Sequence, residues 1–418
     1  MAKYKIPRGT YDILPSESYK WQYVQNTFRK VARLYNFKEI VTPIFESSDL
    51  FERSVGDSSD IVEKEMYKFN DKKGRTFALR PEGTASVVRS VVENNLDLDA
   101  NSTKLYYMGP MFRYDRPQKG RYRQFYQYGV EYFGSDNALI DAQTIALADT
   151  FLRQLGLKNY KLEINSIGNA TCAKDYDSAL INFFKPHFNE LCSDCQRRLE
   201  KNPKRVLDCK NKTCKSIAKE APSMLDYLDE ECSTHFENLQ KYLTQMKIDF
   251  VVNPTIVRGL DYYTKTAFEF IDSNLGAQST LIGGGRYDGL VKQIGGRDVA
   301  GIGFAGGFER LLLSLEAEDI KIPNNDKPDV YLVTLGEKAE TISAELLMKL
   351  RADNISTEFH PDKKTMKAQM KAANRSDARF VILLGDNEIE QNKFNLKNME
   401  TGEQELVDFQ EMVRIIFQ

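Results

Sequence analysis

Leu105-Tyr106-Tyr107-Met108-Gly109-Pro110-Met111-Phe112-Arg113-Tyr114 and Gln124-Phe125-Tyr126-Gln127-Tyr128-Gly129-Val130-Glu131-Tyr132-Phe133 flank the loop Asp115-Arg116-Pro117-Gln118-Lys119-Gly120-Arg121-Tyr122-Arg123. Two aromatic-rich runs around a short polar loop read as an antiparallel hairpin. Side chains alternate along a strand, so Phe125, Gln127, Gly129 and Glu131 share one face and Tyr126, Tyr128, Val130 and Tyr132 the other. One face is polar, the other aromatic. Arg113 closes the first strand, and Arg116, Lys119, Arg121 and Arg123 crowd the loop. Several cations could therefore converge on a polyanion, such as a nucleoside triphosphate, beside a carboxylate and an amide. An ordinary exposed basic turn is the alternative.

Outward from the hairpin, the apolar spacing of Trp21, Val24, Phe28, Val31 and Leu34 predicts an amphipathic helix over 16–37. It leads into the β-branched run 38–46, broken by Pro43 and suited to an edge strand or bulge. After the hairpin, Ser135 or Asp136 is expected to cap a helix reaching about Gln154, and 162–165 looks like a strand. From about 168 to 248 the chain turns helical and cysteine-bearing, which reads as an inserted domain. Strands return at 250–257 and 266–271, followed by the glycine clusters 283–289 and 300–307, the latter opening a helix over 308–315. Neither cluster has the pattern of a P-loop or a dinucleotide fold, so close backbone approach to a substrate is the better reading. A proline-bounded linker at 322–328 precedes a β-α-β-α-β alternation ending at 380–384. The fold class is α/β, with an antiparallel sheet and helices in 1–325 and a smaller domain with a partly parallel sheet in 326–418.

Composition bounds these readings without deciding among them. The 418 residues suit two or three domains. No apolar run approaches the roughly 18–20 residues that span a bilayer, and the N-terminus lacks the apolar core of a signal peptide, so no membrane association and a cytoplasmic location are expected. The net charge of −2 means that a nucleic acid must be held by local basic surface.

The segment from Phe112-Arg113-Tyr114 through Arg121-Tyr122-Arg123-Gln124-Phe125 to Glu131 resembles motif 2 of class II aminoacyl-tRNA synthetases. Gly303-Phe304-Ala305-Gly306-Gly307-Phe308-Glu309-Arg310 is similar to motif 3, and 37–46 to motif 1, the dimer-forming element. Arg258-Gly259-Leu260-Asp261-Tyr262-Tyr263-Thr264 and Gly283-Gly284-Gly285-Arg286-Tyr287-Asp288 look like the signatures of the histidyl-tRNA synthetase family. Pro7-Arg8-Gly9-Thr10 and Leu79-Arg80-Pro81-Glu82-Gly83-Thr84 extend the resemblance over the whole first domain.

The resemblance implies a homodimer that uses L-histidine, ATP and magnesium to form histidyl adenylate, then charges tRNA(His). Arg113 would hold the α-phosphate, Arg310 the γ-phosphate and Arg121 the far end of the triphosphate, with Phe125 stacked on adenine and Arg258 stabilising charge at the α-phosphate. Glu82, Gly83, Thr84 and Gln127 would surround the α-amino group. Glu131, with Tyr262, Tyr263 and Tyr287 nearby, would read the imidazole from two sides. Alternation from Arg258 selects Tyr262 as the imidazole contact; the resemblance favours Tyr263.

Cys192, Cys195, Cys209 and Cys214 have the general form of a zinc knuckle, but unmetallated thiols in a helical insertion explain them as well. The resemblance requires no zinc, and no metal is assigned to a protein site. In the last domain Lys363, Lys364, Lys367, Lys371, Arg375 and Arg379 recur at helical steps, a solvated face on charge alone. The resemblance of this domain, including 369–373 and 380–385, to an anticodon-binding domain makes them candidates for RNA contact, and would bring the insertion to the acceptor arm. A rival from another class is the non-catalytic, histidine-binding regulatory subunit of ATP phosphoribosyltransferase. Such paralogues tend to lose the ATP arginines and the C-terminal domain, whereas Arg113, Arg121, Arg258, Arg310 and 329–418 are all present.

Overall fold

A computed structural model describes residues 4–55, 61–96, 102–207, 209, 211–256, 262–324, 326–362 and 365–417. The hairpin forms from strands Thr103–Phe112 and Gln124–Phe133, with Tyr107 opposite Gly129 and Leu105 opposite Glu131. Its loop folds back through a tight turn in which Gln118 and Arg121 exchange backbone hydrogen bonds of 3.0 and 2.9 Å. Gly120 takes the left-handed conformation this requires (φ 74°), where a side chain would be strained.

The hairpin lies inside an eight-stranded sheet. In spatial order its strands are Lys38–Glu39, Thr103–Phe112, Gln124–Phe133, Gly301–Gly307, Thr280–Arg286, Thr264–Ile271, Lys161–Ser166 and Val251–Val252. All neighbours are antiparallel except the outermost pair at each edge. The aromatic face of the hairpin meets helices Pro15–Leu34, Ala138–Gln154 and Phe308–Ala317 in one large core. Phe28 stands edge-on to Phe151 there, with ring centroids 5.0 Å apart. The opposite face carries helix Thr84–Glu93 and the polar row.

Several sequence expectations are corrected. Leu34 is 64% exposed: the chain reverses at Asn36 (φ 62°), and Phe37 takes the buried position instead. Asn137, not Ser135 or Asp136, caps the next helix, accepting a 2.9 Å bond from the backbone of Leu139. The run 38–46 splits around Pro43 into Lys38–Glu39 on the main sheet and Phe45–Ser47 on a separate three-stranded sheet. Of the strand expected at 250–257, only Val251–Val252 forms among the described residues. Both glycine clusters contribute central strands, because the polar face needs a floor of small residues. A Cβ on Gly303 would collide with the Glu131 carboxylate on the adjacent strand.

The chain divides into two compact units, 1–322 and 323–418. Within the first, helices between Ala170–Phe184 and Glu230–Gln245 build a small apolar cluster of their own. In the second, strands Val330–Thr334, Thr357–Phe359 and Phe380–Leu384 are parallel, and Phe394–Asn398 and Gln404–Val407 add an antiparallel edge. Gln369 is 1% exposed, and its amide brackets both backbone groups of Thr334 at 2.6 and 3.0 Å. Helix Met366–Ser376 therefore turns Lys367, Lys371 and Arg375 outward; all three are exposed, as is Arg379, while Lys363 and Lys364 lie outside the described residues.

The centre of the first unit holds a buried ion pair. Arg286 is inaccessible to solvent and binds Asp141, with further bonds to Ser135 O at 3.0 Å and Asp288 at 2.9 Å. Asp141 also accepts from His235 Nε2 at 2.8 Å and Thr266 Oγ1 at 2.6 Å. Burial pushes the Asp141 carboxyl up, but Arg286 and His235 outweigh it and hold it below the ordinary range. Asp141→Ala would strand a buried guanidinium and is expected to destabilise this unit by about 3–5 kcal/mol in urea denaturation, against under about 1 kcal/mol for a dispensable pair. With a depressed folded pKa, the Asp141 contribution is fully present above the unfolded value of about 3.9 and disappears as the pH falls through the folded one.

Candidate active site

The polar face is built from four strands and one helix end. Glu131, fully buried, accepts a 2.7 Å bond from Thr84 Oγ1 and another from the Tyr287 hydroxyl. The backbone N–H of Tyr287 donates to Gly301 O at 2.8 Å, which anchors the main chain there. Glu82 caps helix Thr84–Glu93, accepting from the backbone N–H of Thr84 at 2.6 Å and Ala85 at 2.8 Å, with Gly83 at the turn. Burial raises the pKa of both carboxyls, that of Glu131 to about 8. Beside them the buried Oε1 of Gln127 and hydroxyl of Tyr107 have no hydrogen-bond partner. Unsatisfied buried polar atoms of this kind suit a polar ligand.

Tyr262 and Tyr263 lie with ring centroids 4.7 Å apart and planes tilted by 41°, and Tyr262 meets Tyr287 edge-on at 5.7 Å. Burial, then the charges of Tyr263, Glu82 and Glu131, raises the Tyr262 pKa. Tyr263 lies across Gly285, at the same aromatic cluster. Both tyrosines thus border the site.

At the other end, guanidinium groups gather. Arg113 donates to Pro81 O at 2.8 Å and faces the Phe125 ring at 5.2 Å. Arg310 donates to Thr280 O at 3.1 Å. Arg121, brought back by the turn at Gly120, pairs with Asp115 and reaches Glu65 at 3.6 Å. Burial, then the positive charges of Arg121 and Arg113, lowers the Arg310 pKa; burial does the same for Arg113, with Arg121 adding to it. Such mutual repulsion marks a place for a polyanion. Arg258 lies outside the described residues.

Sequence reasoning missed three contributors. Tyr107 follows from the hairpin register, on the same face as Leu105 and Met111. Glu309 accepts from Tyr11 at 2.6 Å and the Tyr126 backbone at 2.9 Å, tying the N-terminal segment and hairpin to the helix that bears Arg310. Glu269, bonded by Thr280 Oγ1 at 3.0 Å, reaches Arg310 with its charge across strands that no local motif connects.

A family model described as histidyl-tRNA synthetase matches residues 9–311, and one described as anticodon binding domain matches 329–418. The chain belongs to the histidyl-tRNA synthetase family. The histidine–tRNA ligase of Bacillus velezensis is 52% identical over 99% of this chain and 98% of that protein. The apo histidyl-tRNA synthetase of S. aureus superposes with a TM-score of 0.84 at 43% identity, covering 99% of this chain and 100% of that one. An ATP phosphoribosyltransferase regulatory subunit/histidyl-tRNA synthetase from Bacillus halodurans shares the fold at 22% identity, with a TM-score of 0.66 over 92% of this chain and 98% of its own. Full-length similarity to ligases favours membership on the synthetase side of the family over the regulatory rival.

Glu131 gives the site a pH signature. Its folded pKa of about 8 lies above the unfolded value, so its stabilising contribution is complete at low pH and is lost as the pH rises through about 8. Relative to Glu131→Gln, the wild-type thermal midpoint is expected to fall between pH 5 and about 8 and then level off; parallel curves would show that this carboxyl titrates normally.

Proposed function

We propose that this chain activates L-histidine with ATP and transfers the histidyl group to the 3′-terminal adenosine of tRNA(His). The observation that carries the reading is the polarity of one sheet face: converging guanidiniums at Arg113, Arg121 and Arg310, and buried carboxyls with tyrosine hydroxyls at the other end. A triphosphate fits the first and an amino acid with an imidazole fits the second.

In this reading Glu82, Thr84 and Gln127 bind the α-amino group, with the backbone at Gly83 close by. Glu131 and a tyrosine of the 262–263 pair take the two imidazole nitrogens, and Tyr287 orients Glu131. Phe125 stacks on adenine, Arg113 holds the α-phosphate, and Arg121 and Arg310 hold the distal phosphates. The histidine carboxylate is itself the nucleophile: its oxygen attacks the α-phosphorus, the bond to the β-phosphate oxygen breaks, and pyrophosphate leaves. No general base is needed, so positioning and charge stabilisation carry the rate, with Arg258 assigned to the reacting phosphate. Glu269 and Glu65, carboxylates at the arginine end, are oxygen donors suited to magnesium, which would neutralise phosphate charge when bound with ATP.

Exposed Lys367, Lys371 and Arg375 are assigned to the tRNA anticodon arm. Homodimerisation is assigned to the motif 1 region, where Val41, Ile44 and Phe45 are 81%, 45% and 49% exposed. Among the described residues no helix is long and apolar enough to cross a membrane, and a cytoplasmic site of action suits this function.

Pyrophosphate exchange into ATP, tested with each of twenty amino acids in the absence of tRNA, should proceed with histidine alone. Exchange with another amino acid, or none by protein that binds histidine, would overturn the reading. Arg310→Ala should lower kcat/KM for exchange by roughly 10²–10³-fold. Tyr262→Phe and Tyr263→Phe separate the two tyrosines, since the imidazole contact should raise KM for histidine and leave KM for ATP unchanged. Alanine at Lys367, Lys371 and Arg375 together should weaken aminoacylation through KM for tRNA while exchange stays at the wild-type rate.

A further inference from the structure

The strongest feature that the aminoacylation reading leaves unused is the cysteine cluster of the insertion. Cys192 and Cys195 bracket the start of helix Ser193–Lys201, while Cys209 and Cys214 come from the turn and short helix that follow. Folding brings all four Sγ atoms within 4.8 Å of one another. Cys192 and Cys209 are 3.8 Å apart. A disulfide would require about 2.05 Å. Four sulfurs around an ion with bonds of about 2.3 Å stand about 3.8 Å apart along each tetrahedron edge. Backbone N–H groups of Cys192 and Asn211 already point at the sulfurs of Cys214 and Cys209, at 3.2 and 3.4 Å, as hydrogen bonds to thiolates would.

The surrounding core supplies the physical need. Its apolar cluster is small and its central helices are short, the situation in which a domain gains most from a cross-link. Three of the four cysteines are buried within it, at the junction of these short elements.

The geometry points to a structural zinc ion held by Cys192, Cys195, Cys209 and Cys214. Binding Zn²⁺ releases the four thiol protons and leaves a closed tetrathiolate with no open position, so it serves folding and not the adenylation chemistry. This reverses the metal-free expectation from the sequence, which had the spacing but not the convergence. The neighbouring group of Cys172, Asp229 and Cys232 differs, because the Asp229 carboxylate is already engaged by the Cys232 backbone at 2.8 Å and by Asn169 at 2.7 Å.

Full-length protein, purified without chelators or an immobilised-metal step, should contain about one zinc per chain by plasma mass spectrometry. Replacement by Co²⁺ should give the strong visible bands of a tetrahedral site and a near-ultraviolet sulfur-to-cobalt charge-transfer band, with no mutation and no activity assay needed. Cys209→Ser should abolish or blue-shift that band, and Cys172→Ser should preserve it. Zinc below about a tenth of an equivalent after refolding with Zn²⁺, iron in its place, cysteines recovered as disulfides, or loss of the cobalt spectrum only in Cys172→Ser would each overturn the assignment.

Discussion

The buried pair between Arg286 and Asp141 is the interaction on which the first unit turns. Removing both charges from water costs several kcal/mol per ion, and the geometry recovers this only because each group is hydrogen-bonded repeatedly. The guanidinium reaches Asp141, Asp288 and the backbone of Ser135, while the carboxylate accepts from His235 and Thr266 as well. These partners come from a central strand end, the long helix behind the sheet, the neighbouring strand and the last helix of the insertion. One ion pair thus fixes where the inserted segment rejoins the sheet. It also fixes Arg286, and the next residue, Tyr287, can then hold Glu131 from the other side of the strand.

The polar face is organised by a separation of charge. At one end burial raises the pKa of Glu82 and Glu131; at the other, burial and mutual repulsion lower those of Arg113 and Arg310. Each end is electrostatically uncomfortable alone, and each would be relieved by a ligand of the right kind. In the proposed reading an amino acid joined to a nucleotide would span both. The proposed reaction would form its bond where the two halves meet, and a nucleophile that arrives already ionised would be sufficient there.

How much of this was legible follows from the range of the information. Strand alternation is local, and it placed Gln127, Glu131 and Phe125 on one face and the core aromatics on the other. The polarity of the hairpin could be read directly. The glycine clusters resisted because their meaning lies across strands: Gly303 is small on account of Glu131, far away in sequence but adjacent in register. Asp141 shares its helix with Asp149 and Arg153, and only its partner Arg286 distinguishes it from an ordinary surface acid. Gln369 looked like part of an RNA-facing helix, yet its amide serves the backbone of Thr334, and the basic residues beside it face out for that reason. Tyr107 lacked any local mark, being one aromatic among several until the register set it opposite Gly129.

The insertion shows the same limit from another side. Spacing alone gave four cysteines in a helical segment, compatible with a metal and with inert thiols. Convergence is a tertiary property, set by how three short helices pack around Leu199, Val206 and Ala218. A chain with a large core can leave such thiols free, since apolar burial already overcomes the entropy of ordering. This segment has little apolar area to spend, and it must hold its shape between two fixed points, the strand at 161–166 and the helix carrying His235. Joining the loop sulfurs through an ion adds binding free energy to the folded segment without demanding more core, which makes the cysteines and the Asp141 network complementary solutions to one problem: keeping an inserted domain folded and correctly rejoined to the sheet it interrupts.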